Sequence, residues 1–124
     1  MNWLMVALGG MLGALSRYAV YNYPLFKANW FMLNTFTVNM LGCLLMGIVT
    51  ELFAVKTGWP QELRILFTMG FLGAFTTFST YGADIVVLIN RQELWRAAIY
   101  VVASTGLGIA AVFLGCYIVR LCCR

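Results

Sequence analysis

The chain has no histidine and only four acidic residues in 124, namely Glu51, Glu62, Asp84 and Glu93. Without imidazole, the commonest general base and a frequent metal ligand are both missing. No nucleophile is paired with a base, no cluster has metal-ligand spacing, and no phosphate-binding loop is present. The chain is therefore not read as an enzyme. Charge is scarce as well: 10% of residues are charged against 63% hydrophobic, with a mean hydropathy of +0.90. That is too little charge to cover the surface of a soluble domain. The net charge of +4 is spread over loops and ends and calls for no nucleic-acid partner, because basic loops are ordinary in membrane proteins. No basic flank precedes the first apolar run, and losing that run would remove a span, so no cleaved leader is expected.

What is present is apolar sequence in long runs. A helix that crosses a bilayer takes about 20 apolar residues, so a chain of this length holds four with short turns. The pattern predicts an all-α membrane protein with spans at 3–21, 30–55, 62–89 and 94–121, forming one domain over 1–124. There is no internal repeat, low-complexity tract or linker.

The first span carries Gly9, Gly10, Gly13 and Ala14, small residues four apart that let helix backbones approach closely in lipid. Arg17 follows one turn after Gly13. It is either an arginine snorkelling to the interface or the source of a positive vestibule for an anion. Residues 21–29, with Pro24 and Lys27, read as a turn. In the second span Thr35, Asn39 and Gly42 share a face, and Asn39 lies about ten residues deep by helical spacing. A buried amide there needs a partner, as glue between helices or as part of a path. Pro60 stands near the first turn of the third span. Asp84 is the one acid well inside an apolar run and is a candidate site by default, unless it lies near the interface and is hydrated. In the fourth span Tyr100, Ser104 and Gly108 form a stripe on a packing helix. Cys43 and Cys116 read as small apolar fillers. Cys122 and Cys123 form a pair at a fraying end, where acylation is the alternative.

The polarity is concentrated in Gly70–Gly82. Thr76, Thr77, Ser79 and Thr80 place four hydroxyls in five residues, with three glycines close by and apolar runs on both sides. Hydrocarbon cannot satisfy exposed backbone, so such a centre suits a broken helix packed in protein or lining a wet path. The plainer alternative is a kinked helix whose hydroxyls bond back to their own carbonyls. The groups that converge at mid-membrane are neutral donors: Asn39, Thr76, Thr77, Ser79, Thr80 and Ser104. Donors with no acid among them suit an anion better than a cation. Phe75, Phe78 and Tyr81 interleave with them, and a ring presented edge-on offers its positive rim. As ordinary core aromatics they would do none of this.

These residues carry a resemblance. Gly9-Gly10-x-x-Gly13-Ala14-x-x-Arg17-Tyr18, Thr37-Val38-Asn39-x-x-Gly42 and Gly70-Phe71-Leu72-Gly73-Ala74-Phe75-Thr76-Thr77-Phe78-Ser79-Thr80 are similar, in order and spacing, to the signature blocks of the Fluc (CrcB) fluoride channels. The third block is the specific one, and the resemblance covers essentially the whole chain. It implies a passive fluoride channel of the bacterial inner membrane that lets fluoride, trapped inside after hydrogen fluoride dissociates, leave the cell. It also implies an antiparallel dual-topology homodimer with two pores and a structural sodium ion at its centre. On the matching block the sodium-holding carbonyls fall on Gly73 and Thr76. The pore asparagine falls on Asn39, the paired phenylalanines on Phe78 and Tyr81, the polar track on Ser79 and Thr80, and the family arginine on Arg17. Thr35, Asp84 and Ser104 join Arg17 as accessory candidates. Two departures stand out: the second phenylalanine is Tyr81, and Asp84 takes the place of a longer glutamate.

Two other readings compete. A small four-helix proton-coupled exporter of cations needs a membrane carboxylate, typically in the first span, where this chain has only Arg17 as a charge. A non-transporting assembly subunit would use the polar third span as glue. Lys56, Arg64, Arg120 and Arg124 fall on the side of the termini, and Arg17, Lys27, Arg91 and Arg96 on the other. That balance leaves orientation unbiased, so insertion both ways is expected.

Overall fold

The computed structural model describes residues 1–23 and 31–123. The turn expected over 21–29 falls mostly outside them, as do Lys27, Trp30 and Arg124. Every regular element among the described residues is a helix: α1 (Asn2–Asn22), α2 (Phe31–Val55), α3 (Gln61–Ile65), a π-helical segment (Leu66–Leu72), α4 (Gly73–Phe75), α5 (Phe78–Asn90) and α6 (Leu94–Cys122). Among the described residues four stretches are long and apolar enough to cross a membrane: Asn2–Asn22, Met32–Val55, Gln61–Asn90 and Leu94–Cys122. The third of these contains α3, the π segment, α4 and α5.

The spans pack in two parallel pairs. Gly9 lies against Gly70, Gly13 against Phe71, and Arg17 reaches Thr76, so residue numbers rise together along α1 and the third span. A Cβ on Gly9 would run into the Leu66 carbonyl oxygen, and one on Gly13 into that of Phe71. Only glycine permits this backbone contact, and close backbone approach drives helix association where lipid removes the hydrophobic term. The π segment sits at that contact. A π turn widens the helix and often marks a functional site. On the other side, Gly47 meets Val112, Gly115 meets Leu44, and Glu51 and Arg120 close the ends of α2 and α6. That last pair is a two-pronged fork, Nε to Oε1 at 2.8 Å and Nη2 to Oε2 at 3.1 Å.

The core is thin. Val38, Leu72 and Leu88 are all but sealed, and Leu88, Ala97 and Tyr100 cluster with Met32, Phe36, Tyr81 and Ile85. Many large apolar side chains face outward instead, Trp3, Met69, Val102 and Phe113 among them. In water such a surface would aggregate. In hydrocarbon it is the proper outer face.

Beyond the π segment, the third span leaves helical geometry at two residues. Thr76 has φ −78 and ψ 159, and Thr77 has φ −148 and ψ 119, so both are extended. α5 then starts at Phe78 with Thr77 as its cap, the Thr77 hydroxyl accepting from Thr80 N–H at 3.2 Å.

Candidate functional site

Two extended residues inside an apolar span interrupt the helical hydrogen-bond ladder, and side chains of other helices meet several of the freed groups. Asn39 on α2 does most of this. Its Oδ1 accepts from Thr77 N–H at 2.8 Å, and its Nδ2 donates to the Thr77 carbonyl at 3.0 Å. Arg17 on α1 donates from Nη1 to the Thr76 carbonyl at 3.3 Å. In an uninterrupted helix the Thr77 and Thr80 amides would bond to the Gly73 and Thr76 carbonyls, four residues back. Here those amides go to Asn39 Oδ1 and Thr77 Oγ1. The Thr76 hydroxyl bonds back to Leu72 O at 2.9 Å, which holds its own side of the gap. Gly42, on α2 below Asn39, leaves room for the Thr76 methyl; a Cβ there would collide with it.

Beside this junction lies a cavity of about 400 Å³. Asn39, Thr76, Thr77, Phe78, Tyr81 and Ser104 supply much of its wall, with Met40, Cys43 and Gly108 among the rest. Among the described residues no charged side chain lines it. Ser104 Oγ is buried without a hydrogen-bond partner among the described residues, a donor held ready. Ser79 and Thr80 do not line the cavity; both hydroxyls tie to Thr77 Oγ1, at 3.3 and 3.0 Å. Phe78 is 84% exposed and Ser79 is exposed, so the chain carries a bare ring and a bare hydroxyl on its outer face beside the junction.

A second polar cluster adjoins the first through aromatic rings. Tyr81 packs between Phe78, with centroids 5.6 Å apart, and Tyr100, at 5.2 Å. The Tyr100 hydroxyl donates to Asp84 Oδ2 at 3.1 Å. Asp84 is only 6% exposed, so it is an interior acid and not one hydrated at a helix end. Thr35, fully buried, shares a hydrogen bond with the Tyr21 hydroxyl at 3.3 Å. A buried carboxylate without donors would be costly, and Tyr100 supplies one.

The structure thus gathers Arg17, Asn39, Thr76, Phe78, Tyr81 and Ser104 around one junction, and sets Thr35 and Asp84 a short way off. Two residues take roles that the sequence did not assign them. Thr77 is the one both ends of Asn39 hold, and Tyr100 is the partner of Asp84. The Tyr100, Ser104, Gly108 stripe pointed towards the second, but its partner sits on another helix. Cys116 donates weakly to Gly47 O at 3.4 Å, while Cys43 borders the cavity. Among the described residues no three of His, Cys, Asp or Glu come together as a metal cluster.

Comparison with known proteins gives the lineage. The family described as CrcB-like protein, Camphor Resistance (CrcB), matches residues 4–116. A protein of Rhizobium etli named fluoride-specific ion channel FluC is 42% identical over 118 residues, covering 94% of each chain. A protein of the same name from Granulibacter bethesdensis is 40% identical over 124 residues, covering 97% of this chain and 95% of its own. A third, from Maridesulfovibrio salexigens, is 41% identical over 121 residues, with 97% and 96% covered. With a match spanning nearly its whole length, this chain belongs to the CrcB family.

Proposed function

We propose that this chain is a passive fluoride channel of a bacterial inner membrane, working as an antiparallel homodimer. The similar proteins are named for fluoride, and the chemistry of the junction suits that ion. The observation that carries the reading is a cavity at mid-span walled by an amide, hydroxyls and aromatic rings, with no carboxylate on its surface. Fluoride is small and holds its water strongly, so a path for it must replace that water with several short hydrogen bonds. Asn39 keeps a second Nδ2 hydrogen after serving Thr77, and Ser104 has its hydroxyl unspent. The Phe78 and Tyr81 rings add positive edges. From Thr77 in the wall, a hydroxyl ladder continues to Ser79 and Thr80 just outside. Chloride, larger and less demanding of hydrogen bonds, gains less from such a wall.

The exposed Phe78 ring and Ser79 hydroxyl support a second copy. A polar group bare to hydrocarbon is costly, and a partner's helices would cover it. If the partner runs the opposite way, the two interruptions meet at mid-depth on a two-fold axis. The balance of lysine and arginine between the two sides permits that arrangement. Leaving Arg17 out loosens the balance by one, to four against three, since its bond to Thr76 puts it at the depth of the interruption.

A sodium ion at that axis fits the residues. The Gly73 and Thr76 carbonyls have lost their helical donors to Asn39 and Thr77 Oγ1, and backbone oxygens suit a hard cation. Two such oxygens from each copy would hold it, and the ion would stabilise the interrupted backbone.

Two measurements test the proposal. Purified protein in fluoride-loaded liposomes should release the ion, as read by an electrode; release no faster than from protein-free liposomes overturns the channel. A single cysteine appended to the C-terminus, with the native cysteines removed, should be labelled from both faces of the membrane. Labelling from one face alone rules out the antiparallel pair.

A further inference from the structure

Arg17 occupies one of the two carbonyls on which the sodium reading rests. Its Nη1 donates to Thr76 O at 3.3 Å, and its side chain is half-buried. A guanidinium keeps its charge at any pH a protein meets. None of the four acids is at hand to neutralise it. Glu51 is engaged by Arg120 and Glu93 by Arg96, and Asp84 is bonded to Tyr100. Glu62 lies fourteen residues from Thr76 in the third span, about 20 Å along a helix. The charge therefore rests on the peptide oxygen and whatever approaches it.

We infer that Arg17 is a resident cation on the Thr76 carbonyl that both steadies the extended Thr76–Thr77 backbone and sets how much sodium the site requires. This rests on the sodium reading above. The reasoning is electrostatic. Once the Thr80 amide turns to Thr77 Oγ1, the Thr76 carbonyl needs another donor, and Arg17 supplies it. A sodium ion drawn to the same oxygen meets a positive charge already there. Two like charges at such spacing, in surroundings less polar than water, repel by enough to change an affinity about tenfold or more. A merely structural hydrogen bond would carry no such penalty, since any N–H donor of similar reach could make it. Arg17 is thus a positioning residue with an electrostatic cost to its neighbour. The chain keeps a weaker sodium site in exchange for a backbone that stays open when the ion is absent.

The test separates charge from hydrogen bonding. Full-length protein in detergent is heated at increasing sodium, with N-methylglucamine keeping ionic strength constant, and the unfolding midpoint is followed. Ion binding to the folded state raises that midpoint as sodium passes its dissociation constant. In Arg17→Gln, which keeps an N–H donor without the charge, the half-saturating sodium concentration should fall about tenfold. In Arg17→Lys, which keeps the charge, it should stay within about twofold of the parent. Arg17→Met, uncharged and of comparable volume, replaces the glutamine variant if that protein does not fold. An Arg17→Gln curve that overlays the parent, or that needs more sodium, overturns the inference while leaving the sodium site in place. No sodium-specific rise in the parent itself overturns the sodium reading and the inference with it.

Discussion

The side-chain amide of Asn39 and the peptide of Thr77 hold each other at both ends. Thr77 N–H donates to Oδ1 at 2.8 Å, and Nδ2 donates to Thr77 O at 3.0 Å. One side chain on α2 therefore satisfies both polar groups of a residue that cannot complete a helix on α5. The same side chain also borders the cavity. One amide thus both closes the junction and faces the cavity proposed to carry fluoride.

That double role makes the Asn39 variants separable. Asn39→Ala strands the Thr77 N–H and carbonyl together, at about 1–3 kcal/mol for each unmet group, and should unfold more readily and release fluoride at least tenfold more slowly. Asn39→Asp keeps the acceptor for Thr77 N–H. It should lose less stability than Asn39→Ala, yet conduct as poorly, because it places a carboxylate on an anion path. Unfolding and liposome release on the same preparations decide this. Equal stability of Asn39→Ala and the parent would show that the pair does not hold the junction.

Phe78 gives the opposite separation. At 84% exposure it contributes little to packing within its own chain. Phe78→Ile keeps apolar bulk on the face proposed to meet the partner, so it should fold and pair as the parent does, with stability within about 1.5 kcal/mol. Fluoride release should drop sharply, because an aliphatic chain has no positive edge to offer. Unchanged release would assign Phe78 to packing against a partner alone.

Neighbouring glycines on α1 differ in what they face. A Cβ on Gly13 would strike the Phe71 carbonyl oxygen, whereas nothing lies within 4 Å of one on Gly10. Gly13→Ala should force α1 away from the π segment and cost about 1–3 kcal/mol, the usual range for overpacking. Gly10→Ala should be neutral or slightly stabilising, since alanine is the better helix former. A matched pair of unfolding curves checks this, and similar losses in both would mean that α1 does not pack as described.

How far the sequence disclosed this arrangement differs from residue to residue. The four apolar stretches were legible because length and hydropathy suffice for a bilayer span. The depth of Asn39 and the crowd of hydroxyls from Thr76 to Thr80 marked the polar centre, since such groups are costly in hydrocarbon wherever they sit. The partner of each group was not legible. That Asn39 takes Thr77, Arg17 takes Thr76 and Asp84 takes Tyr100 depends on which helices lie together, and no spacing within one helix encodes that. The π segment was hidden for the same reason: Leu66–Leu72 reads as an ordinary apolar run, and its geometry accompanies the close approach of Gly9 and Gly13. Nor could spacing tell that Ser79 and Thr80 turn to Thr77 instead of the cavity.

Asp84 and Tyr100 should prove coupled. Tyr100→Phe removes the phenol hydroxyl that donates to the carboxylate at 3.1 Å and should destabilise by about 1.5–3 kcal/mol, the worth of a hydrogen bond to a charged group. Asp84→Asn lowers the need for that donor, so the double variant should lose less than the two singles added, by about 0.5–3 kcal/mol. Strict additivity in the double-mutant cycle would mean that the two side chains do not act on each other.

The central claim is that the neutral donors around Asn39 and Thr77 conduct fluoride by replacing its water. It is tested most directly by loading liposomes with potassium fluoride or potassium chloride, opening a potassium pathway with an ionophore, and recording anion release through the reconstituted protein with matched electrodes. Fast fluoride release with chloride release no greater than from empty liposomes is the predicted result. Equal release of the two anions, or release of neither, would contradict it.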